Sequence, residues 1–318
     1  MSTKKLRIAY LMDPLDGMDI SKDTTFAFLL EAQSRGHENF VLGPADLAIR
    51  RSVPEARVQP VQVRRKVGDH FELGEARREA LEAFDVVMLR KDPPFDMNFF
   101  FDTHTASLID AQKTLVVNNP AGLRDANEKL YALRFPDVIP ASLVTADSDL
   151  LKEFLAELGG EMIVKPLDGC GGKGIFHVHD KDRNLNAILE SSTAHGTIRV
   201  MAQRYLPEVR EGDKRIIVIE GEPRGAVLRI PQAGEHRSNF HVGGSAARSQ
   251  LTERDREICA RIADDLRRDG LLFVGLDVIG GFLTEVNVTS PTGVQEIDDL
   301  SGTNLAGEWI DVLEARCA

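Results

Sequence analysis

Asp277, Glu285 and Asn287 carry oxygen donors inside two strand-like apolar runs, within the stretch Gly275-Leu276-Asp277-Val278-Ile279-Gly280-Gly281-Phe282-Leu283-Thr284-Glu285-Val286-Asn287. An acid in such a run is costly unless a cation pairs with it, and hard oxygen donors suit a divalent ion. If the runs pair antiparallel around a two-residue Gly280-Gly281 loop, Asp277 falls opposite Thr284 and on the other face from Glu285. A three-residue loop, Gly280 to Phe282, sets Asp277 across from Glu285, with Asn287 on the same face, so the odd-length turn is expected. A hairpin at a sheet edge with solvated acids is the competing reading of the same residues.

A second group reads as an anion cradle. Gly169, Gly171, Gly172 and Gly174 fall within six residues, which lets consecutive backbone N–H groups approach a phosphate with no Cβ in the way. This is not a Walker A loop, because Gly174 stands where Ser or Thr is needed and Leu167 where glycine is needed. The unit is strand, loop, strand, and a hairpin tip without a ligand is the alternative. Lys165 tips the balance: it ends the run Met162-Ile163-Val164-Lys165, where a buried ammonium needs an anionic partner. Lys129 is a second candidate, set against a solvated lysine on an amphipathic helix. The segment Met201 to Leu206, with Gln203, Tyr205 and Leu206, fits either a wall for a flat base or an ordinary core strand. His177 and His179 share one face of a strand, but no third ligand is evident beside them. Cys170 has no histidine placed to activate it and reads as a small loop residue.

These groups need strands to hold them. Leu6 to Leu11 reads as a buried strand, followed by a helix from about Thr24 to Arg35, capped by Asp23 and closed by Gly36. Phe40 to Leu42, Asp85 to Leu89 and Thr114 to Val117 read as further strands, with a helix between the last two, which implies a parallel sheet with covered faces. No G-x-G-x-x-G follows the first strand, so a dinucleotide site is not indicated. Asn119-Pro120 marks a boundary, after which a helix from Gly122 to about Leu133 carries Asn127, Glu128 and Lys129. Asp147 to Leu158 reads as a helix, then Met162 to Lys165, Ile175 to His179, Val200 to Tyr205, Arg215 to Glu220 and Gly225 to Ile230 as strands. Thr252 to Arg268 is a long helix ending at Gly270, and Leu272 to Ile279 leads into the hairpin. The stretch from Ile230 to Ser245, with Gly234, Gly243 and Gly244, looks like a lid.

The chain has 318 residues, enough for two or three domains. Its three cysteines, Cys170, Cys259 and Cys317, are far apart and form no C-x-x-C pair, so a reducing, cytoplasmic setting is expected. The apolar run after Lys4 and Lys5 is too short for a signal segment, and nothing approaches the length of a membrane span. A net charge of −11 argues against nucleic acid as a partner, since phosphate backbones are held by excess Lys and Arg.

The residues resemble those of the ATP-grasp superfamily and, within it, the bacterial glutathione synthetases. The resemblance rests on Met12-Asp13-Pro14, Met88-Leu89-Arg90-Lys91-Asp92-Pro93-Pro94-Phe95-Asp96, Val117-Asn118-Asn119-Pro120 and Asn127-Glu128-Lys129-Leu130. It continues with Lys165-Pro166-Leu167-Asp168-Gly169, Gly212-Asp213-Lys214-Arg215, Arg229-Ile230-Pro231-Gln232, and Gly275-Leu276-Asp277 with Thr284-Glu285-Val286-Asn287-Val288-Thr289-Ser290-Pro291-Thr292. The metal triad and the two lysines alone would indicate only ATP-grasp; the R-K-D-P-P-F-D and E-x-N-x-T-S-P-T segments are the specific part. Cys170 departs from the pattern, where a residue such as Met is expected.

The resemblance implies an α/β and α+β architecture: an ATP-grasp fold with a Rossmann-like N-terminal domain (residues 1–121), a central lid domain (122–204) and a C-terminal antiparallel-sheet domain (205–318). It implies a ligase that uses ATP to join γ-glutamylcysteine to glycine through an acyl phosphate, with two Mg²⁺ (or Mn²⁺) ions on Asp277, Glu285 and Asn287. By the same resemblance, Lys129, Lys165, Gly169, Gly171, Gly172, Gln203, Tyr205, Leu206 and Asp213 bind the nucleotide. Arg229 and Arg215 stabilise the transferring phosphoryl group or the oxyanion, and Arg90, Lys91, Arg237, Ser290 and Thr292 receive substrate carboxylates. A homo-oligomer, a tetramer, is implied as well. Another carboxylate–amine ligase of the superfamily is the rival reading, followed by a non-catalytic ATP-binding module of the synapsin kind.

Overall fold

Alternating apolar strands and capped helices in the first third of the chain build a sheet that is parallel along one side. The computed structural model describes residues 4–169, 171–232 and 245–318. Its first sheet contains β1 (Arg7–Leu11), β2 (Glu38–Leu42), β3 (Leu47–Arg50), β4 (Val53–Val63), β5 (Phe71–Leu73), β6 (Arg77–Ala80), β7 (Val86–Leu89) and β8 (Leu115–Val117), in the order β3-β4-β2-β1-β7-β8 with β5 and β6 also paired to β4. The pairs β1–β2, β1–β7 and β7–β8 are parallel, and all pairs made by β4 are antiparallel. The expected parallel sheet is therefore one side of it only, β2-β1-β7-β8 out to the β8 edge. The polar stretch after residue 42, given no element from sequence, supplies four strands. Along β4 the buried residues Pro54, Ala56 and Val58 alternate with more exposed ones, a half-buried period-two pattern that the surrounding Arg and Glu residues obscure.

Helix α1 (Thr24–Ser34) starts where Asp23 accepts the N–H of Phe26, as expected. Helices α2 (Met97–Ala106) and α3 (Pro120–Asp125) follow. The helix expected from Gly122 to Leu133 is broken after α3. Asn127 Oδ1 accepts the N–H groups of Lys129 and Leu130, its Nδ2 donates to Leu167 O, and Glu128 O accepts the N–H of Val286. A side chain that offers the backbone a local acceptor ends the helix there. Glu128 and Lys129 consequently lie on a turn tied to the hairpin strand, not on a helix face.

The second sheet, β9 (Ser142–Thr145), β10 (Glu161–Pro166), β11 (Phe176–His179) and β12 (Val200–Arg204), runs β11-β10-β12-β9 and is antiparallel throughout. With α4 (Ser148–Glu157) and α5 (Leu185–Ser192) it encloses its own apolar cluster, including Leu151, Leu155, Met162, Val164, Val178 and Leu189.

The third sheet, β13 (Asp213–Ile219), β14 (Glu222–Ile230), β15 (Ser245–Ser249), β16 (Phe273–Ile279) and β17 (Phe282–Asn287), runs β15-β14-β13-β16-β17, all antiparallel. Helix α6 (Glu253–Asp269) carries a Thr252/Asp255 capping box and ends at Gly270 in the left-handed region. Helices α7 (Val294–Ser301) and α8 (Leu305–Arg316) complete the chain. The first and third sheets share apolar cores: Phe28 of α1 meets Phe273 of β16 at 5.1 Å between ring centroids, and Phe273 meets Trp309 of α8 at 5.2 Å. Asn118 fastens the same junction, donating to Phe273 O and Val288 O and accepting the N–H groups of Leu272 and Phe273.

The hairpin turn corrects one expectation and preserves its consequence. Ile279 pairs with Phe282, so the loop is the two-residue Gly280-Gly281, with φ of 54° and 76°. Positive φ at both central positions is the pattern of the turn that matches strand twist, and it comes without strain only to glycine. Asp277 nonetheless pairs with Glu285, because a bulge after Val278–Leu283 leaves Thr284 as the extra residue. The odd residue lies in the strand instead of the turn.

Candidate active site

Strand register assembles one charged face on the third sheet. Asp213 pairs with Arg229, Arg215 with Asp277, Asp277 with Glu285 and Gly275 with Asn287. Residues two apart on a strand share a face, so these side chains form a continuous patch across four strands. Arg215 Nε donates to Asp277 Oδ1 at 2.5 Å and its Nη2 to Oδ2 at 3.1 Å. Arg229 Nη2 reaches Asp277 Oδ2 at 2.9 Å and pairs with Asp213 Oδ2. Burial alone would raise the Asp277 carboxyl, but the two guanidinium groups overcome it and hold it well below the usual carboxylate range. Asp213, more weakly compensated and repelled by Asp277, is pushed by burial up to about 6.

The second sheet brings the lysines. Lys129 and Lys165 are both buried, and their Nζ atoms lie 3.6 and 3.8 Å from Glu285 Oε1. Lys129 also donates to Gly169 O at 2.7 Å and Lys165 to Thr284 O at 3.3 Å. The bulge therefore has a use, since the carbonyl of its extra residue meets an ammonium. Burial pushes the Lys165 ammonium down, with Lys129 adding repulsion and Glu285 opposing. Two buried ammonium groups beside one carboxylate leave room for a further anion, and the glycine loop lies next to them.

Three adjoining cavities follow from this arrangement. Ile163, Lys165, Ile175, Gln203, Tyr205, Leu206, Asp213 and Asp277 are among the residues lining the first, a mostly apolar slot suited to a flat base. The second contains Lys129, Gly169, Gly171, Gly172, Arg215, Arg229, Asp277, Glu285, Asn287, Ser290 and Thr292. The third lies against α1 and is lined by Asp13, Asp19, Lys22, Asp23, Arg90, Asp92, Thr292 and Glu296. Asp277 and Glu285 border the first two, and Asp92 and Thr292 border the last two. The order is thus a mostly apolar slot, a chamber lined by glycines and charged groups, then a charged pocket.

Most residues singled out from sequence meet here. Arg90 is buried, donates to Thr25 Oγ1 and Pro291 O, and is pushed by burial down to about 10. Lys91 stays apart from the cavities, its Nζ over the Phe99 ring at 5.1 Å. Arg237 and the stretch around Gly234, Gly243 and Gly244, like Cys170, lie outside the described residues. Ser290 Oγ donates to Asp92 Oδ1 at 2.6 Å, so its hydroxyl has a partner before any substrate arrives. Several residues of the site were not singled out, among them Glu128 and Asp92, with Asp19, Lys22 and Glu296 in the third cavity. Glu128, pushed up to about 7 by burial and by Glu285, accepts from Thr289 Oγ1, and Asp92 joins the second and third cavities. Both were visible in the sequence only as neighbours of Lys129 and Lys91.

The oxygen set fits a hard divalent ion: Asp277, Glu285 and Asn287 face one chamber, bring no nitrogen or sulfur donor, and have Glu128 beside them. Asp277 is at the same time the counter-ion of two arginines, so an ion there would share the carboxylate with them.

Known proteins are similar to this chain over nearly its whole length. The family model for the N-terminal domain of prokaryotic glutathione synthetase matches residues 6–124, and the model for its ATP-grasp domain matches residues 128–302. Glutathione synthetase of Brucella melitensis biotype 1 is 49% identical over 311 residues, covering 98% of this chain and 99% of that protein. The enzyme of the same name from Synechococcus elongatus is 45% identical over 319 residues, at 98% of each chain. Among solved structures, D-cycloserine synthetase DcsG superposes with a TM-score of 0.68 at 16% identity, over 98% of this chain and 100% of that one. A RimK domain ATP-grasp protein from Sphaerobacter thermophilus gives 0.62 at 20% identity, over 96% and 98%. At such identities these two speak for the ATP-grasp fold alone.

Proposed function

The chain belongs to the prokaryotic glutathione synthetase family, and from that premise we propose how its residues divide the work of joining γ-glutamylcysteine to glycine with ATP. Membership makes it an ATP-dependent ligase that uses a divalent metal. A carboxylate is a poor electrophile toward an amine, so ATP first phosphorylates it, and the glycine amine then displaces phosphate from the acyl phosphate. Neither step needs a nucleophile from the protein. The protein's part is positioning and charge stabilisation.

In this reading Gln203, Tyr205 and Leu206 hold the base, and Lys129, Lys165 and the N–H groups at Gly169, Gly171 and Gly172 hold the phosphates. Asp277, Glu285 and Asn287 would hold two Mg²⁺ ions, which would supply positive charge against the phosphates. Arg229, with Arg215 behind it, stabilises the charge that develops on the transferring phosphoryl group. Arg90, Ser290 and Thr292 line the route to the third cavity, where acids and cations alternate as an amino acid's ammonium and carboxylate require; Lys91 and Arg237 are the outer candidates. The second sheet, with its separate core, acts as the moving lid, with domain limits near residues 121 and 204. No helix among the described residues is long and apolar enough to cross a membrane; a cytoplasmic homotetramer is the assembly we propose.

The observation that carries this reading is the convergence of two buried lysines on Glu285, beside the oxygen set and under the glycine loop. The purified protein is expected to release phosphate from ATP only when γ-glutamylcysteine, glycine and Mg²⁺ are all present. Equal release with a pair of D-alanines, or none with the full mixture, would overturn the assignment.

Gly275 offers a sharper check on the geometry. A Cβ there would lie 2.7 Å from Pro291 Cβ and 3.1 Å from Arg215 Cδ, so β16 approaches both too closely for a side chain. Gly275→Ala should push Arg215 away from Asp277 and lower kcat/KM by about a hundredfold, the usual effect of misplacing a charged group by about 1 Å. Steady-state kinetics that stay within twofold would show that this close packing does not position the site.

A further inference from the structure

Outside the oxygen set, the described residues hold one other cluster with the chemistry of a metal site: Glu161, His177 and His179. Two strands make it. Glu161 of β10 pairs directly with His179 of β11, and Ile163 pairs with His177, so period-two alternation sets all three side chains on one face. The missing third ligand beside the two histidines is a residue sixteen positions earlier in the chain, brought in only by strand pairing. One ligand atom from each of the three lies within 4.8 Å of the others. His177 Nε2 is 2.7 Å from Glu161 Oε1, and His179 Nδ1 is 3.9 Å from it.

We propose that Glu161, His177 and His179 form a binding site for a borderline transition-metal ion of the Zn²⁺ type, separate from the Mg²⁺ chemistry of the oxygen set. Nitrogen and oxygen ligands stand about 2.0–2.2 Å from zinc, which places them about 3.3 Å apart in a tetrahedron. The Glu161–His177 distance is below that and the Glu161–His179 distance above it. A small side-chain rotation closes the set around an ion, and the His179 side chain, 51% exposed, has room to make it. Two imidazoles with one carboxylate suit Zn²⁺, Ni²⁺ or Cu²⁺, whereas Mg²⁺ wants oxygen ligands and octahedral geometry. Three protein ligands leave a fourth position for water.

The site also lies at the rim of the base slot. Glu161, Ile163 and Lys165 share a face of β10, and Ile163 and Lys165 line that slot. His177 stacks on Tyr205, another lining residue, with 3.9 Å between centroids and 18° between planes. The bland alternative is an ion pair in which Glu161 serves only to hold the imidazole against that ring.

Zinc titration of the nucleotide-free full-length protein in millimolar Mg²⁺ distinguishes the two. Free thiols bind zinc, so the background carries Cys170→Ser and Cys317→Ser. One equivalent should bind in this background, and at least tenfold more weakly after His179→Ala or Glu161→Gln. Both variants should turn over normally with Mg²⁺ alone, which certifies their fold. Zinc binding of unchanged affinity in both variants, or no binding in the background protein, overturns the site.

Discussion

Replacing Glu285 by glutamine should abolish turnover while leaving the fold in place. Among the described residues, Glu285 is the only carboxylate within 4 Å of either Lys129 or Lys165, and it faces Asp277 across the hairpin. Glutamine keeps the backbone pairing and nearly the shape, so the melting temperature should move by a few degrees at most. It removes the negative charge that the proposed ion on this wall would require. We expect kcat/KM to fall at least about a thousandfold, about 4 kcal/mol of transition-state stabilisation. Binding separates this from a misfolded protein. With the carboxylate gone, the two buried ammonium groups present more positive field to phosphate, so ADP in the presence of a chelator should bind the variant at least as tightly as the parent. The gain in ADP affinity on adding Mg²⁺ should disappear. Retained turnover, or an undiminished Mg²⁺ effect, would remove Glu285 from the metal site.

How much of this was legible in the sequence depended on distance along the chain. The hairpin acids and Lys165 lie in short apolar runs whose periodicity can be read directly, and the cap at Asp23 and the stop at Gly270 fall where the residue types put them. The opposition of Asp277 and Glu285 was read correctly for a wrong reason. A bulge and a longer turn both shift register by one residue, and sequence does not tell them apart. The break in the helix before Lys129 was missed because it depends on Asn127 reaching Leu167 and on Glu128 meeting Val286, contacts across 40 and 158 positions. Glu128 and Glu161 were passed over for a related cause. An exposed-looking acid becomes a site residue only when another strand brings it a partner.

Arg229 is where that long-range assembly has its largest expected consequence after Glu285. Its guanidinium is buried and paired with both Asp213 and Asp277, which hold it firmly protonated. In the sheet it is thus a counter-ion to both acids. Polyphosphate entering the second cavity offers it stronger partners, and its turning toward them would free an oxygen of Asp277 for an ion. Arg229→Ala should therefore lower kcat by about 10²–10³, the usual loss on removing a group that stabilises transition-state charge, with KM for ATP within about threefold. Removing one partner of a buried pair also costs about 3–5 kcal/mol of stability, which by itself would confuse the result. Adding Asp213→Asn to Arg229→Ala removes the negative charge that Arg229 had balanced and should recover much of the lost melting temperature without recovering turnover. Arg229→Lys tests the fork, because an ammonium keeps the charge but cannot span two oxygens as a guanidinium does, so it should turn over between the parent and alanine. If the stabilised double variant regains normal kcat, Arg229 serves the sheet and not the reaction.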